Sequence, residues 1–215
     1  MSPTIATVIA AMIITPAVRA EAPRAGLSPM KLDVAGVRLG MPIEQVPTAL
    51  AASSFACKPF GNEADFASRV AAEVKSRTGA RGPVPYTTGT MQFDCRGPNG
   101  EGLTVTFAQV RTGSIVDGYG LSVDGRTVDL PALRRQLTAK YGRPKVGTEL
   151  RGSWCDAGYR CGDGMVFSEG PTVIIDTSTA VTINGTRGTR ADRADDAAVM
   201  AEADRLVPKK TGAAF

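Results

Sequence analysis

Hydrophobic positions recur every three or four residues in some stretches of the chain and every second residue in others. In the first such stretch, Ile43, Val46 and Leu50 fall on one helical face, and Pro42 suits the first helical position. Pro47 lacks the N–H that an interior helical residue donates, so it is expected to kink or shorten this helix. The segment SFACKPF that follows predicts a strand.

The next segment has a helical period. Phe66, Val70 and Val74 lie four residues apart, Asn62 is the candidate N-cap, and Gly79 is the expected stop. Three strand-like stretches come afterwards, separated by the turn sequences GPNG and RTG, and they predict an antiparallel meander. They cover residues 86–96, 102–111 and 114–124.

A second cycle of the same kind begins at Asp129, which can cap a helix that carries Leu133 and Leu137 on its apolar face and stops at Gly142. Strands are predicted in LRGSWCD, GMVFS, TVIID and AVTIN, and a last helix in RADRADDAAVMAEADRLV.

The order helix, cysteine-bearing strand, further strands thus occurs twice. Helices that alternate with groups of antiparallel strands predict an α+β fold with helices packed on antiparallel sheet, arranged here as two tandem helix-plus-sheet repeats. The predicted organisation is a signal peptide, a flexible leader, a first repeat, a second repeat and a tail, over residues 1–20, 21–31, 32–125, 126–207 and 208–215.

The N-terminus predicts export. An uncharged, largely apolar run from Ile5 to Val18 is too short to span a bilayer but suits the core of a signal peptide. Val18 and Ala20 are small enough for cleavage after Ala20, which places the mature chain in the periplasm. No Lys or Arg precedes the run, and a buried N-terminal strand or helix is the alternative. No cysteine near the cleavage point offers a lipid anchor.

Export gives the cysteines a role as disulfides, which persist in oxidising compartments. No Cys-x-x-Cys motif occurs, and zinc would need all four thiolates because the chain has no histidine. Of three possible pairings, proximity favours Cys57–Cys95 and Cys155–Cys161. Loop-closure entropy assigns about 4 kcal/mol to the longer loop and about 2 kcal/mol to the shorter one.

Two segments carry a resemblance to a known fold. GVRLGMPIEQVPTAL has a Gly40-Met41 turn and Val46 in a short helix, and LRRQLTAKYGRP ends in Gly142-Arg143-Pro144. In these elements the chain resembles exported bacterial proteins of the β-lactamase-inhibitor-protein-like fold, which small outer-membrane assembly lipoproteins share. The resemblance implies helices packed on an antiparallel sheet, often in tandem, and a function in binding other proteins. The chain departs from the pattern in lacking a lipobox and an aromatic-rich face.

Catalytic motifs are sparse. The absence of histidine removes Ser-His and Cys-His pairs, and no Gly-x-Ser-x-Gly occurs. Ser28 and Lys31 have Ser-x-x-Lys spacing, and a Lys-Thr-Gly stands at 210–212, but Ser-Asp-Asn is missing. No catalytic residue and no cofactor is therefore expected.

Other acidic residues predict no metal site. Asp156, Asp163 and Glu169 lack the ligand spacing of an EF-hand loop. The pair Asp195-Asp196 is expected on the solvated face of the last helix.

Two function classes survive. The first is an exported, disulfide-stapled module that binds another envelope protein; the second is a periplasmic hydrolase that uses carboxylates or Ser with Lys. A net charge of +4 is too small to indicate nucleic acid, and the mature chain is expected to contain no membrane span. The candidate interface residues are Trp154, Tyr159, Arg134 and Arg135. A deep pocket with convergent ionisable groups would favour the enzyme, and an exposed sheet face the binding module.

Overall fold

The computed structural model describes residues 28–148, 150–156, 158–159, 161, 168–178 and 180–207, together with the backbone but not the side chain of Thr127. Within them the predicted α+β class is confirmed, because four α-helices accompany an eight-stranded antiparallel sheet and a two-stranded sheet. The predicted signal peptide, most of the leader, the strand GMVFS except Ser168, and the C-terminal tail lie outside the described residues.

The helices and strands follow the two predicted cycles. The helices are α1 (Val46–Ala52), α2 (Phe66–Thr78), α3 (Leu130–Tyr141) and α4 (Thr189–Leu206). The strands are β1 (Asp33–Val34), β2 (Val37–Arg38), β3 (Ala56–Ala64), β4 (Thr88–Arg96), β5 (Gly102–Val110), β6 (Gly113–Val123), β7 (Val146–Gly147), β8 (Arg151–Cys155), β9 (Thr172–Asp176) and β10 (Val181–Thr186).

The large sheet has the strand order β3-β4-β5-β6-β10-β9-β8-β7. Strands β3 to β6 come from the first predicted half of the chain and β7 to β10 from the second. The two halves join where β6 pairs antiparallel with β10, from Val181 opposite Val123 to Thr186 opposite Gly118. Both halves therefore contribute to one continuous sheet.

The main core lies on one face of this sheet. Alternate residues of β5 point into it, and α1 and α3 cover it with Val46, Leu50, Leu133 and Leu137. Buried and half-buried positions alternate strictly along β5. The half-buried residues therefore point to the opposite face of the sheet.

The first two helix starts compare differently with the sequence prediction. The first α-helix is short, as expected from Pro47: Ile43–Gln45 form a 3₁₀-helix, and α1 starts at Val46 with Pro47 in its first turn, where its missing N–H has no partner to lose. Asn62 pairs with Thr90 in the β3–β4 ladder, and α2 is capped by Asp65, whose carboxylate accepts a hydrogen bond from the Ser68 N–H at 2.8 Å.

Other predicted helix ends are confirmed. Gly79 ends α2 with φ of 65°, a left-handed conformation that glycine adopts without a steric penalty. Asp129 caps α3 by accepting from the N–H of Ala132 at 3.1 Å, and Gly142 follows its last residue.

Both predicted disulfides are present, with sequence separations of 38 and 6 residues. Cys57 and Cys95 stand directly opposite each other in the β3–β4 pair, so this bond ties the edge strand to its neighbour. Cys155 and Cys161 close the loop after β8.

Helices α2 and α4 pack against each other at the end of the sheet where β5 turns into β6. Arg111 in that turn pairs with Glu202 of α4, and its guanidinium lies 5.7 Å from the ring centre of Phe66 in α2. Arg77 of α2 also pairs with Asp204 of α4. Within the described residues, no helix combines the length and apolarity needed to cross a bilayer.

Candidate functional site

The sheet face opposite the main core carries a cleft of about 460 Å³. Strands β5, β6, β9 and β10 line it together with Ser168, and most of its side chains are small and polar. They include Thr104, Thr106, Ser122, Thr172, Thr182, Asn184 and Thr186. We call this site the sheet cleft.

Glycines deepen the floor of the sheet cleft. Gly118 and Gly120 are two residues apart on β6 and both line the cleft. At these positions β6 contributes no side chain, whereas the neighbouring strands contribute residues with hydroxyl groups. A Cβ added at Gly118 would lie 2.9 Å from the hydroxyl of Thr106 and 3.0 Å from the carbonyl oxygen of Gly185. The first six residues of the sequence GYGLSVDG, which imitates a phosphate loop, thus lie in β6, and residues 118–122 line the cleft.

A β-bulge sets Asp117 apart at one end of the sheet cleft. Thr106 pairs with Gly118, but the next residue of β5, Phe107, pairs with Val116, so Asp117 is an extra residue with no partner on β5. Bulges of this kind redirect a side chain and are common beside functional sites.

Asp117 is held by its backbone while part of its carboxylate stays unpaired. Its carbonyl oxygen accepts a hydrogen bond from the N–H of Arg187 at 2.9 Å. Its Oδ1 atom is buried and, among the described residues, has no hydrogen-bond partner, since the Arg187 guanidinium is 3.6 Å away. Burial, followed by the charge of Asp192, raises the pKa of Asp117 to about 6, against the opposing effect of Arg187.

Further carboxylates surround this end of the sheet cleft. Asp195 accepts a hydrogen bond from Arg187 at 3.1 Å, so the Arg187 guanidinium interacts with the carboxylates of both Asp117 and Asp195. Burial is the main cause that raises the pKa of Asp192 and, from β3, the pKa of Glu63. Among the described residues at this end, the carboxylates of Asp117, Asp192, Asp195 and Glu63 outnumber the guanidinium groups of Arg187 and Arg69.

Ser168 is a second polar group without a partner. Its residue is only 3% exposed, and its hydroxyl is buried with no hydrogen-bond partner in the described part of the chain. Its backbone carbonyl accepts from the N–H of Thr189, which anchors it to the start of α4. Buried polar groups are nearly always satisfied, so two unsatisfied ones along one cleft indicate a place for a ligand.

The aromatic residues proposed for an interface have different surroundings. Trp154 is 5% exposed, donates its indole N–H to the carbonyl of Tyr141 at 3.0 Å, and belongs to the main core. Tyr159 is half-buried and lies under the guanidinium of Arg190 at 5.7 Å. Its ring also packs against Gly170, two residues from Ser168, because a Cβ there would lie 2.3 Å from the ring.

The two proposed interface arginines lie on α3, on the other side of the sheet. Arg134 donates to the hydroxyl and carbonyl oxygens of Thr177 at 2.8 and 2.9 Å, which commits it to an internal contact. Arg135 is exposed. An interface role for Trp154, Tyr159, Arg134 and Arg135 stays a prediction.

Other candidates from the sequence do not meet at the sheet cleft. Ser28 precedes a short 3₁₀-helix that ends at Lys31, and the Lys-Thr-Gly lies outside the described residues. The expectation that Asp195 and Asp196 share a solvated face is wrong for Asp195, which is 18% exposed and bonded to Arg187, whereas Asp196 is 71% exposed. The described residues contain no group of three or more acidic or cysteine side chains placed to hold a metal ion.

Sequence reasoning missed Asp117, Ser168 and Arg187. The available signal was an aspartate within an otherwise apolar strand, followed by Gly-x-Gly, which is typical of a bulge. Comparison of the chain with protein-family models, with curated proteins and with solved structures found no significant match.

Proposed function

We propose that this chain is an exported, disulfide-stapled binding module of the cell envelope that acts without catalysis and engages another protein through the sheet cleft. The observation that carries the proposal is the cleft itself, a polar sheet face lined by short hydroxyl and amide side chains. Such side chains offer hydrogen bonds to a polypeptide and lose little rotamer freedom on binding. The two disulfides support residence in an oxidising compartment.

Site-specific photo-crosslinking in cells tests this proposal. A photoreactive residue at Thr182, in the sheet cleft, should give an adduct with a discrete partner, whereas the same residue at exposed Thr138 of α3 should not. The purified partner should then bind Thr182→Arg at least about tenfold more weakly than wild type, since the larger side chain fills the cleft. Equal adducts at both positions, or equal affinities, would reject the proposal.

Export has its own test. Mature protein recovered from the periplasm should begin at Glu21, which N-terminal sequencing or intact mass determines. A retained Met1 would contradict cleavage.

The raised pKa of Asp117 favours a second candidate, a hydrolase in which this carboxyl is the general acid. Hydrolysis of ester, peptide or glycoside substrates would then fall as pH rises through about 6, and Asp117→Asn would abolish it. Turnover that survives in Asp117→Asn would exclude this mechanism.

A further inference from the structure

We infer that the Asp117 end of the sheet cleft is a binding site for an alkylammonium group, the side chain of a lysine presented by the partner polypeptide. This inference rests on the proposed function and specifies the chemistry of the partner. It follows from three independent features of the site: its unpaired acceptors, its charge and its depth.

The first feature is the pair of unpaired polar atoms. Oδ1 of Asp117 and Oγ of Ser168 are both buried and without hydrogen-bond partners among the described residues, and both residues line the sheet cleft. Each can accept a hydrogen bond. An ammonium group has three donors and no acceptor, so its chemistry matches a site that offers unsatisfied acceptors.

The second feature is charge. Asp117, Asp192 and Asp195 gather around the single guanidinium of Arg187, and Arg187 gives its hydrogen bond to Asp195. Asp117 is left at 3.6 Å from the guanidinium, without a hydrogen bond to it. Because one guanidinium only partly compensates three carboxylates, a cation placed at Asp117 would be attracted and an anion would be repelled.

The third feature is depth. Ser168 is 3% exposed and its hydroxyl is closed to solvent, so a ligand reaches it only when the neighbouring side chains move aside, and a narrow stem requires the smallest movement. Lysine carries its charge on an unbranched four-carbon stem, whereas an N-terminal amine is attached directly to the backbone and a guanidinium is broad and planar.

Titration of the isotope-labelled, oxidised full chain, followed by amide NMR shifts, tests the site. The probe is Nα-acetyl-lysine-N-methylamide, and its Nε-acetylated form is the neutral control. Nα-acetyl-arginine-N-methylamide tests the guanidinium, and alaninamide tests an N-terminal amine. The lysine probe should give saturable shifts at Gly118, Gly120 and Thr186, and the other three compounds should bind more weakly.

Three variants assign the effect to residues. Asp117→Asn should weaken lysine-probe binding at least about tenfold and Ser168→Ala a few-fold, because each removes an acceptor. Asp94→Asn removes an exposed carboxylate of β4 outside the sheet cleft and should change the affinity less than about twofold. Urea unfolding of each variant checks that the fold is intact, and Ser168→Ala tests the site even if Asp117→Asn fails to fold.

Several outcomes would overturn the inference. The lysine probe could give no saturable shift, its acetylated form could bind equally well, or the arginine probe or alaninamide could bind more tightly. Asp117→Asn and Asp94→Asn could also lose the same amount of affinity for the lysine probe. A cross-linked partner that Thr182→Arg excludes but Asp117→Asn still binds would keep the proposed function and reject the lysine site. If the lysine probe binds but no polypeptide is cross-linked in the cleft, the lysine site would be kept and the proposed function would be rejected.

Discussion

Asp117 and Arg187 are joined more closely through their backbones than through their side chains. The Arg187 N–H donates to the Asp117 carbonyl at 2.9 Å, but the guanidinium lies 3.6 Å from Oδ1 and donates instead to Asp195 at 3.1 Å. Arg187 thus extends the β6–β10 pairing past the bulge while leaving the Asp117 charge only partly compensated. A partly compensated, buried carboxylate costs stability, and this cost can be measured.

The first prediction concerns the pH dependence of stability. The pKa of Asp117 is about 6 in the folded chain, against an ordinary value of 3.8 for an aspartate in the unfolded chain, so between these values the folded state holds the proton more tightly than the unfolded state does. Stability is therefore gained as pH falls through about 6 towards 4 and lost as pH rises. Asp117→Asn should raise the unfolding free energy at neutral pH by about 1–3 kcal/mol.

Urea unfolding across this pH range checks the prediction. The neutral amide has no proton to release, so the slope from Asp117 should disappear in Asp117→Asn, leaving the contributions of Asp192 and Glu63, whose pKa values burial also raises. The matched variant Asp94→Asn removes an exposed carboxylate but keeps Asp117, so the stability change near pH 6 should remain. Equal slopes in wild type and Asp117→Asn would contradict the assignment.

The second prediction tests the packing of Tyr119 on Gly185. These residues are paired across β6 and β10, and a Cβ at Gly185 would lie 2.5 Å from the Tyr119 ring. Tyr119 is 4% exposed and cannot swing away, so Gly185→Ala should lower the unfolding free energy by about 1–3 kcal/mol.

Gly102→Ala is the matched control, because the nearest side-chain atom to an added Cβ, on Arg96, is 3.5 Å away. The difference between the two variants in denaturant unfolding measures the steric cost. Equal stabilities would show that Tyr119 can rearrange.

The third prediction separates the two disulfides. Removing Cys57–Cys95 by paired serine substitution should destabilise the oxidised protein by about 4 kcal/mol, and removing Cys155–Cys161 by about 2 kcal/mol, because the first closes the longer loop. Chemical denaturation measures the difference. Free-thiol labelling of the denatured, unreduced wild type should find none, and four labelled thiols would contradict both bonds.

The fold could be predicted largely because its signals are local. Periodicity located α2 and α3, and Asp129 and Gly142 marked the two ends of α3. Asn62 was chosen wrongly as a cap because its preference for helix starts was outweighed by pairing with Thr90 across the ladder. That competition depends on a strand far along the chain, which no local pattern contains.

The sheet cleft was harder to predict than the fold. It depends on β6 meeting β10, a pairing between strands from the two halves of the chain, and this pairing alone brings Asp117 beside Arg187. The small polar residues that line the cleft individually resemble ordinary solvent-facing strand positions. Of the features of the cleft, only the bulge at Asp117 has a recognisable sequence pattern, an acidic residue directly before Gly118.

The last prediction separates core from interface among the aromatic residues after β8. Trp154→Phe keeps a buried ring but leaves the Tyr141 carbonyl without the indole N–H that satisfies it, so it should lower the unfolding free energy by about 1–3 kcal/mol. Tyr159→Ala removes a half-buried ring that packs on Gly170 and under Arg190, a contact worth only about 1 kcal/mol.

Binding should show the opposite order. Tyr159 packs on the segment that carries Ser168, so Tyr159→Ala should weaken binding of the cross-linked partner more than Trp154→Phe does, although it costs less stability. Titration of the purified partner against both folded variants, alongside their urea unfolding curves, makes the comparison. If both variants lose affinity only in proportion to their loss of stability, Tyr159 supports the loop and does not contact the partner.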